Sequence, residues 1–331
     1  MPRGIVLLLL LTCLTACADD GYFATHPHLA QPAPVDPDAN LRPVPMPTGN
    51  GLAFVREDTA AQALCHALTP PEWQALAGGD ISRSIEFDTC TVQTPRAAIT
   101  LAMDDGFVWE DSEDAQVDVA GFAVRIDDRK TAALVAFAPD LIGNHEVGGS
   151  PVLTISTHSR TGGEAVVPPK LLRAVLPALL PRLRPPGPSV PVVHSTPLRP
   201  LRQPPGTALI DLTGHVAGSV VCTLIAEKLE VPPKRVTVYP GSGGCDVDHD
   251  HYLRVHVFWP APPEGAPDGE VGGRPYHEER AELDGHTRID GYVELTRVPG
   301  RTGPVTMHIT AFDTFDFRPA IEHVLENVEI L

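Results

Sequence analysis

The placing of the cysteines constrains this chain more than any other feature. Six occur in 331 residues; Cys13 and Cys17 fall in the apolar opening, and the remaining four form two couples, Cys65 with Cys90 and Cys222 with Cys245. The members of each couple lie 25 and 23 residues apart, with a gap of 132 between the couples. Four cysteines permit three pairings, and an even number in an exported chain reads as a disulfide framework. The spacing favours Cys65–Cys90 and Cys222–Cys245. Closing a loop of such length stabilises a folded unit by roughly 3–4 kcal/mol in the chain-entropy account. The competing reading, a cysteine-ligated metal, lacks any C-x-x-C pair.

Near-equal spacing invites a search for an internal repeat. Cys65 matches Cys222 at an offset of 157 and Cys90 matches Cys245 at 155, while Gly121 of "VAGFAV" matches Gly273 of "VGGRPY" at 152 and "PVLTIST" (151–157) matches "PVTMHIT" (304–310) at 153. The expected organisation is a signal peptide over 1–16, a lipidated cysteine and Pro-rich tether over 17–50, one domain over 51–184, a linker over 185–206 and a second domain over 207–331. The linker segment "RPPGPSVPVVHSTPLRPLRQPPG" (184–206) holds too many prolines for a helix or a central strand. The expected class is α+β: two similar domains, each a curved antiparallel sheet with a short N-terminal helix and a C-terminal helix.

Local signals support that class. Thr69-Pro70-Pro71-Glu72 has the form of a capping box, and Gly78-Gly79 predicts the end of that helix after about two turns. Alternating apolar residues predict strands in "RAAITLAM", "TAALVAFA", "PVLTIST", "YLRVHVFW", "GYVELTRV" and "VTMHITAF". The last helix is predicted with Asp316 as its cap, Pro319 in its first turn and Ile321, Val324, Leu325 and Val328 on one stripe. Its counterpart, "PKLLRAVLPALLPRL", carries Pro177 and Pro181 and is expected to be kinked or broken.

The N-terminus gives an address. Arg3 precedes an apolar run from Ile5 to Leu14, shorter than the about 20 residues that a bilayer span requires, as in a signal-peptide core. It ends in Leu14-Thr15-Ala16-Cys17, the pattern of a bacterial lipobox, in which Cys17 accepts a diacylglyceryl group and becomes the first mature residue. Ordinary secretion with a coincidental cysteine is the alternative. The expected location is the outer face of a bacterial cell membrane, with the lipid as anchor. Formal charge is −17, from 25 basic against 42 acidic residues, which disfavours nucleic acid and anionic headgroups as partners.

The lipobox, the Pro-rich tether, "CHALTPPEWQALAGG", Cys90 at the start of a strand, the "VGGRPY" turn and a closing helix together resemble the domain-of-unknown-function family of small exported lipoproteins found in mycobacteria, streptomycetes and their relatives. The resemblance covers roughly 55–184 and 208–331, as a tandem duplication where the family has a single unit. It implies an α+β domain with one disulfide at the envelope. It implies no activity and no catalytic residues.

Chemistry is harder to find. There is no G-x-S-x-G, S-x-x-K, H-E-x-x-H or G-x-x-x-x-G-K-[ST] motif, so no catalytic residue is assigned and a non-enzymatic binding or accessory role is expected, with no cofactor. The stretch "CDVDHDHYLRVH" (245–256) is the densest cluster of ligand-type residues. Read as one strand, it sends Cys245, Val247, His249, His251, Leu253 and Val255 to one face and Asp246, Asp248, Asp250, Arg254 and His256 to the other, where water solvates the aspartates. His249, His251 and His256 are candidate divalent-metal ligands; the plainer reading is a polar strand start stapled by a disulfide. The aspartates fail the calcium-loop pattern, because His251 and Val257 stand where that loop needs Gly and Glu. The acidic segment "FVWEDSEDAQVD" (107–118), read as a loop, offers Phe107, Trp109, Glu110 and Asp111 as a candidate site for an envelope protein partner. A cavity of several hundred Å³ beneath a sheet would point instead to carriage of a lipid or other small apolar ligand.

Overall fold

The computed structural model describes residues 41–331 except 87, 145, 161–167, 250, 251, 260, 261, 284, 299–302 and 314. Cys17, the signal peptide and most of the tether lie outside the described residues. Two antiparallel sheets, of seven and eight strands, carry helices on one face each.

In the first body, helix α1 (Glu57–His66) holds Cys65, and α2 (Pro70–Ala77) follows from the expected capping box: Thr69 N–H donates to Glu72 Oε2 at 2.7 Å, and Gly78 at φ +72° ends the helix. Strands β1 (Ser82–Glu86), β2 (Thr89–Gln93) and β3 (Ala97–Asp104) come next, then a short helix α3 (Gly106–Glu110) and strands β4 (Gln116–Val119), β5 (Phe122–Ile126), β6 (Ala132–Ala136) and β7 (Val152–Ser159). Helix α4 (Pro168–Leu179) closes the body. It carries Pro177 within it, and the break expected there comes at Leu180–Arg182, a 3-10 turn holding Pro181. A disulfide joins Cys65 in α1 to Cys90 in β2 across 25 residues.

The second body repeats this plan. A two-residue strand β8 (Thr196–Pro197) leads to α5 (Gly214–Lys228), which holds Cys222, and to β9 (Val236–Tyr239), β10 (Gly244–Asp248) and β11 (Tyr252–Trp259). Strands β12 (Gly269–Val271), β13 (Arg274–Leu283), β14 (His286–Thr296) and β15 (Val305–Phe312) follow, with α6 (Arg318–Asn327) last. Cys222 is bonded to Cys245 in β10 across 23 residues. Strand order is β1-β2-β3-β7-β6-β5-β4 in the first sheet and β9-β10-β11-β15-β14-β13-β12 in the second, with β8 added outside β9. The orders coincide strand for strand, so one topology is built twice.

Register confirms the match at the level of residues. Cys90 lies opposite Leu101, which lies opposite Ile155; Cys245 lies opposite Val255, which lies opposite Ile309. Both edge hairpins turn in two residues of positive φ, Ala120 (+54°) and Gly121 (+82°) in one, Gly272 (+58°) and Gly273 (+72°) in the other. Each core lies between the helices and the inward residues of its own sheet.

Some segments differ from the sequence reading. Residues 41–50 do not behave as tether: Val44 is buried, Leu41 and Met46 pack on the first core, and Asn50 exchanges hydrogen bonds with Val190. The linker contributes an edge strand, since β8 pairs with β9, consistent with proline being tolerated at an edge. Phe317, not Asp316, occupies the cap position of α6; Asp316 lies one residue earlier and accepts from the Arg318 N–H at 3.2 Å. The two bodies touch: Arg42 pairs with Asp211, Thr59 Oγ1 donates to the Ile210 carbonyl at 2.9 Å, and the Gly241 backbone lies so close to the Val147 carbonyl that no side chain would fit.

Candidate functional site

The Asp/His stretch is a hairpin, not one strand. β10 and β11 pair from Gly244↔His256 to Asp248↔Tyr252, with the chain reversing between. Parity survives the turn, so Cys245, Val247, Leu253, Val255 and Val257 are all buried in the core. His251 and Asp250 lie outside the described residues. His249 sits at the turn with its ring 5.8 Å from Phe315, while His256 projects from β11 on the face away from the core, its ring 6.0 Å from His308. Among the described residues no three His, Cys, Asp or Glu side chains converge as metal ligands, so the metal expectation gains no support.

Asp246 is not a solvated strand residue as expected. Its carboxylate accepts Arg254 Nε at 2.6 Å, Arg254 Nη2 at 2.8 Å and the Tyr239 hydroxyl at 2.6 Å. Burial alone pushes its pKa up, but the hydrogen bonds from Arg254 and Tyr239 outweigh that and hold it below the usual carboxylate range. Asp248, at the exposed end of β10, follows the expectation and pairs with Arg235 at the surface. Beyond Arg254 the same face continues. His256 is held neutral by burial and by the charges of His308 and Arg254, its pKa brought down to about 4. His308 Nε2 meets Asp290 Oδ1 at 3.0 Å, the Thr310 hydroxyl donates to the same oxygen at 2.7 Å, and Tyr292 stacks on His308 at 4.7 Å. Thr310 and His308 thus share one carboxylate oxygen. The Thr310 hydroxyl donates to Asp290 and lies 3.5 Å from His308 Nε2.

The first body carries none of this. Following the register, Thr91, Thr100, Ala102, Thr154, Ser156, Ala132 and Leu134 occupy the positions that Asp246, Arg254, His256, His308, Thr310, Asp290 and Tyr292 hold in the second. Sequence reading missed this face because it took strands singly. Every second residue of "YLRVHVFW", "GYVELTRV" and "VTMHITAF" gives Arg254, His256, Tyr292, His308 and Thr310, and Asp246 and Asp290 join them from β10 and the earlier part of β14 once the strands are laid side by side.

The polar face ends at a seam. There a cavity of about 270 Å³ is lined by Glu146 and Gly148 of the first body, by His194 of the linker and by Tyr239, Ser242, Arg254 and His256 of the second. His194 Nδ1 is 3.1 Å from the Glu146 carbonyl, and its ring stands edge-on to Tyr239 at 5.3 Å.

A second cavity, of about 590 Å³, is apolar. It lies beside α4 in the first body, floored by Leu172 and Leu176, walled by Val117, Val119 and Ile126 of the β4–β5 edge, and rimmed by Asp127, Lys130 and Arg173. In the second body the matching corner differs in character: α6 packs on β12 and on α5, Leu325 lies so close to Gly272 that a Cβ there would meet it at 2.8 Å, and the cavity of about 470 Å³ at that corner is polar, lined by Asp268, Glu270, Tyr276, Glu278, Arg280 and Arg318. In the first body α4 packs on β7 and α2 instead, leaving the edge hairpin uncovered.

The segment read as an acidic loop begins as helix α3, with Asp105 accepting from the Phe107 N–H at 3.0 Å. Trp109 is fixed beneath the Arg125 guanidinium, 4.4 Å from its ring, whereas Phe107 is 51% exposed and Asp111 is exposed beside Glu110. Among the described residues no helix is long and apolar enough to cross a membrane. No family model, curated protein or solved structure matches this chain.

Proposed function

We propose that this chain is an envelope lipoprotein, anchored through Cys17, whose first body binds a small apolar or amphiphilic ligand in the groove beside α4. The groove carries the reading. Its volume, about 590 Å³, lies within the about 300–1,000 Å³ of small-molecule sites, and such sites are mainly apolar with a few polar groups at the mouth. The two disulfides suit an oxidising compartment, in keeping with the lipobox. The likeness to exported lipoproteins of unknown function points to the same place and is part of the proposal. Partner docking through Phe107, Glu110 and Asp111 is the second reading, favoured only by the exposure of Phe107.

A fluorescent long-chain fatty acid titrated into Ala18–Leu331 tests it. Saturable binding at one site is expected, displaced by unlabelled lipid and weakened at least about tenfold by Val117→Arg, which places a charge on the groove wall at a cost of more than about 1.4 kcal/mol. Val117 is already 44% exposed, so the variant should fold. Equal binding by variant and parent, with the same circular dichroism, would rule out the groove.

A further inference from the structure

The duplication supplies an internal control that a single domain lacks. One strand order and one register are built twice, and inward positions are apolar in both bodies. Outward positions diverge: the first body uses Thr91, Thr100 and Ala102 where the second uses Asp246, Arg254 and His256. The fold therefore does not require the charged set. Replacing neutral side chains by partly buried charges rarely adds stability, because desolvation offsets the attraction between them. A role other than holding the sheet together has to account for Asp246, Arg254 and His256.

We propose that the seam cavity at the end of this face is a binding site for a small, neutral, hydroxyl-rich ligand of monosaccharide size. Its geometry is fixed from three sides. Asp246 holds both Arg254 and the Tyr239 hydroxyl, the Arg254 guanidinium lies 5.6 Å from the Tyr239 ring, and His194 closes against that ring from the linker. The contact between Gly241 and the Val147 carbonyl sets the width of the seam. Charge selects the class of ligand. Arg254 is matched by Asp246, and Glu146 stands at the opposite wall, so the cavity has no surplus of positive charge with which to hold an anion. What it presents is a ring face, imidazoles, a Ser242 hydroxyl and planar charged groups that donate or accept in pairs, which complement alternating hydroxyls and C–H faces. Its volume of about 270 Å³ sits at the small end of the about 300–1,000 Å³ typical of ligand sites.

Saturation-transfer NMR on Ala18–Leu331 with a pool of glucose, galactose, mannose and N-acetylglucosamine at millimolar concentration provides the test. Transfer to at least one sugar is expected, abolished by Ser242→Trp, which fills the cavity from an exposed turn, and reduced by His194→Ala. Val117→Arg should leave it unchanged, which separates this site from the apolar groove. No transfer to any sugar, transfer that survives Ser242→Trp, or displacement by inorganic phosphate in preference to every sugar would each overturn the proposal.

Discussion

Ala120 stands at φ +54°, where a side chain crowds the following carbonyl and glycine does not. The second body has Gly272 at this turn position, so the chain contains its own remedy. Ala120→Gly should raise stability by about 1 kcal/mol, seen as a higher urea midpoint at unchanged slope; a lower midpoint would contradict the reading of the turn. A second residue-scale prediction concerns pH. His256 has a folded pKa of about 4, against an ordinary value of about 6.5. Between those values the unfolded chain binds the extra proton, so stability rises with pH across that window, by up to about 3 kcal/mol. The depressed pKa of Asp246 acts in the same direction lower down, contributing stability above the ordinary aspartate value that is lost as pH falls below it. Urea unfolding at pH 4.5 and pH 7 should show the difference, and His256→Gln should shrink it. An unchanged difference in the variant would place the effect elsewhere.

At the scale of elements, each disulfide ties a helix to the second strand of its sheet, α1 to β2 and α5 to β10. Replacing Cys222 and Cys245 together by alanine should cost about 3 kcal/mol in chemical unfolding, from the lost loop constraint. Retention of full stability would mean that α5 is held by packing alone. The sequence showed the cysteines, the capping box at Thr69 and the six alternating strands, because each leaves a local mark. It predicted a short N-terminal helix in each domain but gave no bounds for α1 or α5. Arg56 gives α1 no side-chain cap, and α5 is buried on most of its surface from Ala217 to Ala226, so it has no polar face to set up a helical period. Nor did it show the turn between β10 and β11, because side-chain parity is the same on both sides of it and a single long strand fits the pattern equally well.

Across the whole molecule, the two bodies share one strand order and differ in the side chains that line their cavities. The groove is apolar because the first body sets Val117 and Ile126 where the second sets Gly269 and Glu278, and the seam cavity takes Arg254 and His256 from the outer face of the second sheet. Neither was legible in the sequence, since each depends on contacts between elements far apart in the chain. Ligand binding in the apolar groove is the central claim, and native mass spectrometry of Ala18–Leu331, exported to an oxidising compartment and purified without detergent, tests it most directly. The predicted result is a protein four hydrogens lighter than the reduced chain that carries an apolar adduct, extractable into organic solvent and absent from Val117→Arg. A bare mass, both as purified and after incubation with an envelope lipid extract, would contradict it.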